Sequence, residues 1–245
     1  MILGFDTATR ATSVALVGKD GLEIEQRDDP LPGNRPNHTS KLMALVVGVL
    51  DEAGVGWEAI ERIAVGVGPG TFTGLRIGVA TARAFAQARE IPLVGVSTLE
   101  SLALAAAEHT DGSPTEVVVP ALDARRGELF VAAWDAGAWG EQDGARPDPQ
   151  PLMPPQALAP AEVTRMLGAV SRGVLAVGDG AVAFREVFER AAAVVPEPDS
   201  RLHKVSAISH CRLAAHLQGR PADEVHPEYL RLPDAEIARR RSATT

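Results

Sequence analysis

Residues 65–78, VGVGPGTFTGLRIG, arrange Gly66, Gly68, Gly70 and Gly74, with Pro69, around a Thr-Phe-Thr turn. The apolar run Ile63–Val67 before it reads as a buried strand, and the small-residue run Leu75–Ala88 after it reads as a helix. Gly68-Pro69-Gly70 punctuates the strand end, where only glycine tolerates unusual backbone angles or very close approach. Such a junction has two readings. It holds a phosphate at the helix N-terminus, or it is a tight turn. The usual nucleotide motifs do not fit. A Walker A loop ends in Gly-Lys-Ser/Thr, and no lysine is near. A dinucleotide fingerprint needs a third glycine three residues after Gly70, where Thr73 stands.

Upstream, Ile2–Asp6, Thr12–Gly18 and Leu22–Gln26 read as strands, with Lys19-Asp20-Gly21 as a hairpin turn. Thr39–Ala53 reads as a helix ended by Gly54. Downstream come strand Leu93–Val96 and helix Leu99–His109. The chain resets around Thr110–Pro114. Val117–Leu122 and Glu128–Trp134 then read as another hairpin, and Ala136–Pro155 as an irregular connection rich in Gly and Pro. Helix Ala161–Leu167, strand Val174–Val177, helix Ala183–Ala193 and helix Ser206–Leu217 follow. Strands alternating with helices predict an α/β architecture.

A weak repeat runs through this order. Asp6 and Asp123 each end an apolar strand, and Ile63-Ala-Val-Gly-Val-Gly68 parallels Leu175-Ala-Val-Gly-Asp-Gly180. The chain therefore reads as two related halves, 1–110 and 111–232, with the last helix (206–217) a candidate to pack back on the first half. Residues 233–245 read as a flexible tail carrying Arg239-Arg240-Arg241.

Composition narrows the function classes. The net charge is −8, with 9 basic against 13 acidic residues in 1–110 and 15 against 19 in 111–245. Neither half has the basic surplus of a protein that binds nucleic acid alone. A single cysteine, Cys211, rules out an internal disulfide and suits a reducing compartment; it sits among apolar residues and reads as a buried thiol. The start MILGFD lacks the basic region of a signal peptide. The longest apolar run, Leu42–Leu50, is too short to span a bilayer. A cytoplasmic location is expected.

Gly68-Pro-Gly-Thr-Phe-Thr-Gly-Leu-Arg-Ile-Gly78 resembles the signature of the TsaB family, also called YeaZ. Asp6-Thr-Ala-Thr9, Pro92-Leu-Val-Gly-Val-Ser-Thr-Leu99, Ala121-Leu-Asp-Ala-Arg-Arg-Gly-Glu128 and Pro227-Glu-Tyr-Leu-Arg231 extend the resemblance over nearly the whole chain. It implies an actin-like and Hsp70-like fold, a duplicated ribonuclease-H-like unit in two subdomains. It also implies work on threonylcarbamoyladenosine, made next to the anticodon of tRNAs that read codons beginning with A. The expected role is a non-catalytic subunit that binds a TsaD-like catalytic paralogue, joined by a TsaE-like ATPase, with tRNA held through the complex. The free protein is a candidate homodimer.

The resemblance assigns roles to residues. In the superfamily an acid ending the first strand meets a nucleotide's metal, and following hydroxyls approach its phosphates. Asp6, Thr7 and Thr9 match that pattern, with Gly68 and Gly70 as the phosphate loop. A carboxylate suits Mg²⁺, although Asp6 can equally brace a tight turn. The second hairpin, Asp123-Ala-Arg-Arg-Gly127, lacks the glycines of a phosphate cradle. The expectation is a degenerate site with weak ATP or ADP binding and no required cofactor. TsaD carries two histidines at i, i+4 on a helix; here His38 is followed by Leu42 at that spacing. His109, His203, His210, His216 and His226 form no ligand pair at three- or four-residue spacing. No metal site and no catalytic residue are expected.

The remaining signal is a surface. Residues 39–53 carry one apolar stripe of Leu42, Leu45, Val46 and Val49 and another of Met43, Val47 and Leu50. A surface helix of a monomer shows one. The second stripe means full burial or a partner. Since the family pairs through its two N-terminal helices, the expected partner face is Leu42, Leu45, Val46 and Val49 with Thr73, Arg76, Ile77, Ala80 and Arg83. Two rival readings stand beside this one. The first is an actin-like phosphotransferase, supported by Asp6-Thr7 and the glycine loop. The second is a glycoprotease-like peptidase, which lacks both a G-x-S-x-G elbow and a His-Glu-x-x-His motif.

Overall fold

Small side chains on one face of the first strands decide how the layers stack. The computed structural model describes residues 1–31, 33–109, 115–140, 149–170 and 173–231. The predicted tail at 233–245, the reset at 110–114 and residues 141–148 of the predicted connection lie outside them. Strands β1 (Ile2–Asp6), β2 (Thr12–Val17), β3 (Glu23–Asp28), β4 (Arg62–Gly68) and β5 (Leu93–Ser97) form a sheet in the order β3-β2-β1-β4-β5. Alternate residues point to opposite faces. Leu3, Phe5, Val14, Leu16, Ile63, Val65 and Val67 therefore share one core with helices α1 (His38–Ala53) and α2 (Phe72–Arg89). Gly4, Ala15 and Ala64 stand on the opposite face.

That face receives α3 (Thr98–Ala107) and, from near the C-terminus, α7 (Ala207–Ala214). A Cβ at Gly4 would lie 2.5 Å from Cys211 Sγ and 3.0 Å from the Ala207 carbonyl oxygen. Ala15, Ala207 and Cys211 make a small cluster of their own. The helix thus lies almost on the strand backbone. The Cys211 thiol is fully buried there, which raises its pKa, and it is a packing residue.

The second sheet repeats the first. Strands β6 (Val117–Arg125), β7 (Glu128–Asp135), β8 (Met153–Leu158) and β9 (Val174–Val177) take the order β8-β7-β6-β9. In each sheet the first strand pairs antiparallel with the second and parallel with the fourth. This is the duplicated ribonuclease-H-like unit of the actin-like fold. Helices α4 (Pro160–Leu167), α5 (Asp179–Ala183) and α6 (Arg185–Arg190) cover its outer face. Its inner face shares a core with α3 and the first sheet. Leu99, Leu102 and Leu104 of α3 pack with Val94, Val96, Val118, Leu122, Trp134 and Val177. Each buried leucine contributes about 1.5–3 kcal/mol, so the α3 leucines alone rival the net stability of a domain, on the order of 5–15 kcal/mol. Among the described residues no helix is long and apolar enough to cross a membrane.

Several elements differ from the sequence expectation. Helix α2 begins at Phe72, so the Thr-Phe-Thr turn is its first turn and the loop before it is short. Strand β8 begins inside the predicted irregular connection and runs past its end at Pro155. Pro154 and Pro155 hid it, yet prolines are tolerated on an edge strand, where no second neighbour needs their N–H. Of the helix expected at Ala183–Ala193 the structure keeps α6, Arg185–Arg190, with α5 ending at Ala183 before it, and the helix expected at Ser206–Leu217 stops at Ala214. The repeat also slips by two residues. Gly68 and Gly178 are the left-handed glycines that close the parallel strand in each half, at φ 122° and 106°. Gly180, which the sequence aligned with Gly68, packs on the backbone of Leu122 and Asp123. A slip of two keeps every side chain on its face.

Gly4→Ala should destabilise the protein by about 1–3 kcal/mol, the cost of overpacking a close contact. The midpoint of urea unfolding measures it; an unchanged midpoint would show that α7 is not seated on β1.

Candidate functional site

Asp6 ends β1 with its carboxylate only 2% exposed. Oδ1 accepts the Ala8 backbone N–H at 2.8 Å, and Oδ2 accepts the Thr98 hydroxyl at 2.9 Å. His210 of α7 brings Nε2 to 3.2 Å from Oδ2, at ion-pair distance though without the alignment of a linear hydrogen bond. On its other side, His210 Nδ1 lies 2.8 Å from Ser101 Oγ and 3.0 Å from the Ser206 carbonyl oxygen. Burial works against the Asp6 charge, but the His210 imidazole and the bonds from Ala8 and Thr98 outweigh it and hold the carboxyl below its ordinary value. Gly66 makes the room: a Cβ there would lie 1.9 Å from Asp6 Oδ2 and 3.0 Å from His210 Nε2.

The glycine loop is closed by the chain itself. Glu228 donates its N–H to the Val67 carbonyl at 2.7 Å, and a Cβ at Gly68 would meet the Glu228 oxygen at 2.8 Å. Thr71 donates its N–H to Ala8 O at 2.7 Å, and a Cβ at Gly70 would lie 2.5 Å from that oxygen. Thr7 donates its hydroxyl to Gly74 O at 2.7 Å, while Gly74 and Gly78 leave space for Thr7. Thr9 accepts the Ala11 N–H at 3.3 Å.

The structure brings together Asp6, Thr7, Thr9, Gly68 and Gly70, the residues of the expected degenerate nucleotide site, where β1 ends and α2 begins. Their polar groups brace a turn, and the space around the glycines holds Ala8, Thr7 and Glu228. No group of three His, Cys, Asp or Glu side chains suited to a metal occurs among the described residues. His38, at the start of α1, is buried against Thr12 Oγ1 at 2.9 Å, and that burial lowers its pKa. In the second half Asp123 accepts the Arg125 N–H at 2.8 Å, and Asp179 accepts the Asp123 N–H at 3.0 Å.

Ser101, His210 and Asp6 have the order of a hydrolase relay, but Ser101 and His210 are 0% exposed, and Ser101 donates to Ser206 O at 3.1 Å. No substrate reaches that serine, so the arrangement is a clamp. A groove of about 530 Å³ beside β3 is lined by charges that satisfy one another, Arg212 with Glu23 and Glu108, and Lys204 with Asp29.

The structure divides the residues of the expected helix surface between core and solvent. Leu42, Val46 and Val49 are at most 1% exposed and face the chain's own core, with Leu45 packed beside them. The outward apolar residues of α1 are Met43 and Val47, 45% and 49% exposed. On α2, Thr73, Arg76 and Ala80 are exposed, while Ile77 and Arg83 are half-buried. Arg83 donates to Asp223 O and contacts His226. Sequence reasoning missed Ser101, His210, Phe72 and Tyr229 as members of any site; nothing in their spacing links them, and only the closing of α7 and the C-terminal segment onto the first sheet does.

Residues 34–239 match the family model of TsaD, tRNA N6-adenosine threonylcarbamoyltransferase. The chain is 37% identical over 148 residues to the tRNA threonylcarbamoyladenosine biosynthesis protein TsaB of Escherichia coli strain K12, covering 59% of this chain and 61% of that one. The match thus spans less than two thirds of that relative. It is 28% identical to TsaB of Bacillus subtilis strain 168 over 96% of both chains. YeaZ from Pseudomonas aeruginosa superposes with a TM-score of 0.72 at 28% identity, covering 94% of this chain and 99% of that chain.

Because Asp6 has a lowered pKa in the fold, its contribution is fully present above its ordinary value of 3.8 and is lost as pH falls below it. Asp6→Asn should cost about 3 kcal/mol at neutral pH, since it removes the buried carboxylate that His210, Ala8 and Thr98 all face. It should also flatten the acid limb of stability against pH. Urea unfolding from about pH 3 to pH 7 measures both, and identical acid limbs would contradict the pairing.

Proposed function

We propose that this chain, which belongs to the TsaB (YeaZ) family and falls within the range of the tRNA N6-adenosine threonylcarbamoyltransferase family model, is a non-catalytic subunit of tRNA threonylcarbamoyladenosine biosynthesis. It docks a TsaD-like catalytic paralogue, and a TsaE-like ATPase joins the pair. The partner transfers threonylcarbamoyl to the tRNA adenosine, while this chain orders the partner's active site.

The observation that carries this reading is the outer face of α1 and α2. Met43 and Val47 of α1 stand exposed, as do Thr73, Arg76 and Ala80 of α2, although each helix also has a fully buried stripe that supplies the core. A monomer gains nothing from large apolar side chains held in water, so such a face suits a helix pair from a partner. Ala80 and the neighbouring Ala84 allow close approach of helices. The non-catalytic role is supported by Leu42, which stands where a second helical histidine would be, and by the sealed Asp6–His210–Ser101 group. An excess of acidic over basic residues supports leaving most phosphate contacts of tRNA to a partner.

Reconstitution tests the reading. TsaD-like and TsaE-like proteins, threonylcarbamoyl-adenylate and cognate tRNA are mixed with and without this chain, and the modified nucleoside is read by mass spectrometry. Product should form only with the chain present, and Val47→Arg should reduce it at least about tenfold by breaking the helix face. Equal product without the chain would overturn the proposal, and product from the chain alone would overturn its non-catalytic part.

A further inference from the structure

The exposed end of α2 carries a stack formed by two distant parts of the chain. Phe72 and Tyr229 are 39% and 40% exposed, with ring centroids 5.3 Å apart and planes at 33°. The Arg76 guanidinium lies 3.8 Å over the Phe72 ring, and its Nε donates to the Tyr229 hydroxyl at 3.3 Å. Tyr229 is pinned on both sides. Before it, Glu228 is bonded to Val67 beside the left-handed Gly68. After it, Leu230 packs on the core shared by the two halves, and Arg231 donates to Ala124 O at 3.2 Å and pairs with Glu128 at 3.1 Å.

Rings and guanidinium are therefore ordered before anything binds, which removes part of the entropy cost of an interface. Aromatic and arginine side chains are also those that most often dominate binding energy. An arginine has five N–H donors in a flat fork. Among the described residues only Nε has a partner, no carboxylate pairs with Arg76, and the residue faces solvent. Held flat on a ring, the free edge of the fork matches a carboxylate. The surrounding helix has no acid between Phe72 and Arg89, and Thr73, Ile77 and Ala80 continue the surface along it.

We infer that Phe72, Arg76 and Tyr229 form a preassembled receptor for an Asp or Glu side chain on an apolar helix of the docked partner. The docking surface is then composite, because the C-terminal segment contributes Tyr229 to a face otherwise built by α1 and α2. The inference rests on the docking reading above and adds the chemistry that the partner must present, an acidic residue within one helical turn of apolar ones.

Affinity of the full chain for the TsaD-like partner, measured by calorimetry at about 0.05 M and about 0.5 M NaCl, tests it. Arg76→Gln should weaken binding about tenfold at low salt and remove most of the salt dependence. Tyr229→Ala should do the same by freeing the guanidinium, and Arg76→Lys should not restore affinity, since an ammonium lacks the flat fork. Val47→Arg probes the helix face independently. Loss of binding in Val47→Arg with wild-type affinity in Arg76→Gln and Tyr229→Ala would overturn the receptor and leave the docking reading standing. Wild-type affinity in Val47→Arg as well would overturn both. Arg76 is on the surface, so its variants remain decisive even if thermal melting shows Tyr229→Ala to be unstable.

Discussion

The buried pair between Asp6 and His210 holds the two ends of the chain together. Asp6 closes the first strand and His210 sits in the last helix, at 3.2 Å with almost no access to water. A buried charge without a partner is costly enough to unfold a domain. Every element that supplies this pair is therefore constrained. The first strand must present Asp6, the third helix must present Thr98 and Ser101, and the fourth strand must have no side chain at Gly66. Small residues at Gly4, Ala15 and Ala64 follow from the same demand, because they let the last helix lie close to the sheet.

This use of Asp6 changes the meaning of the glycine loop. In an open actin-like site the strand-end acid and the loop amides face a ligand. Here the acid faces a histidine, Ala8 and Thr7 fill the space beside Gly70 and Gly74, and Glu228 covers Gly68. The glycines serve close packing between backbone segments, which needs the same residue type as phosphate binding for the same steric reason. On the outer surface, Met43 and Val47 of the first helix stand exposed, as does the Phe72–Arg76–Tyr229 stack at the start of the second.

Much of the fold was legible along the chain. The apolar, β-rich runs at Ile2–Asp6 and Thr12–Val17, the turn at Lys19-Asp20-Gly21 and the helix ended by Gly54 arise from local composition and backbone preference, and they stand where those forces place them. The strand at Met153–Leu158 was hidden because its prolines argue against a strand unless its place at a sheet edge is known. The start of the second helix at Phe72 was hidden because Thr-Phe-Thr has no helical preference of its own, and Gly74 allows a turn there only through its packing on Thr7.

Local pattern was enough for the α/β class, the family and the supply of apolar helix faces, since each depends on residues near one another in the chain. It could not decide which helix stripe faces inward, because Leu42, Val46 and Val49 repeat at the same helical period as Met43 and Val47, and only contact with the sheet separates them. Nor could it join Asp6 to His210 or Phe72 to Tyr229. Those partners are brought together by the return of the C-terminal segment across the first sheet, a long-range closure for which no local pattern carries a signal. Tertiary packing therefore settled which residues brace the fold and which face solvent.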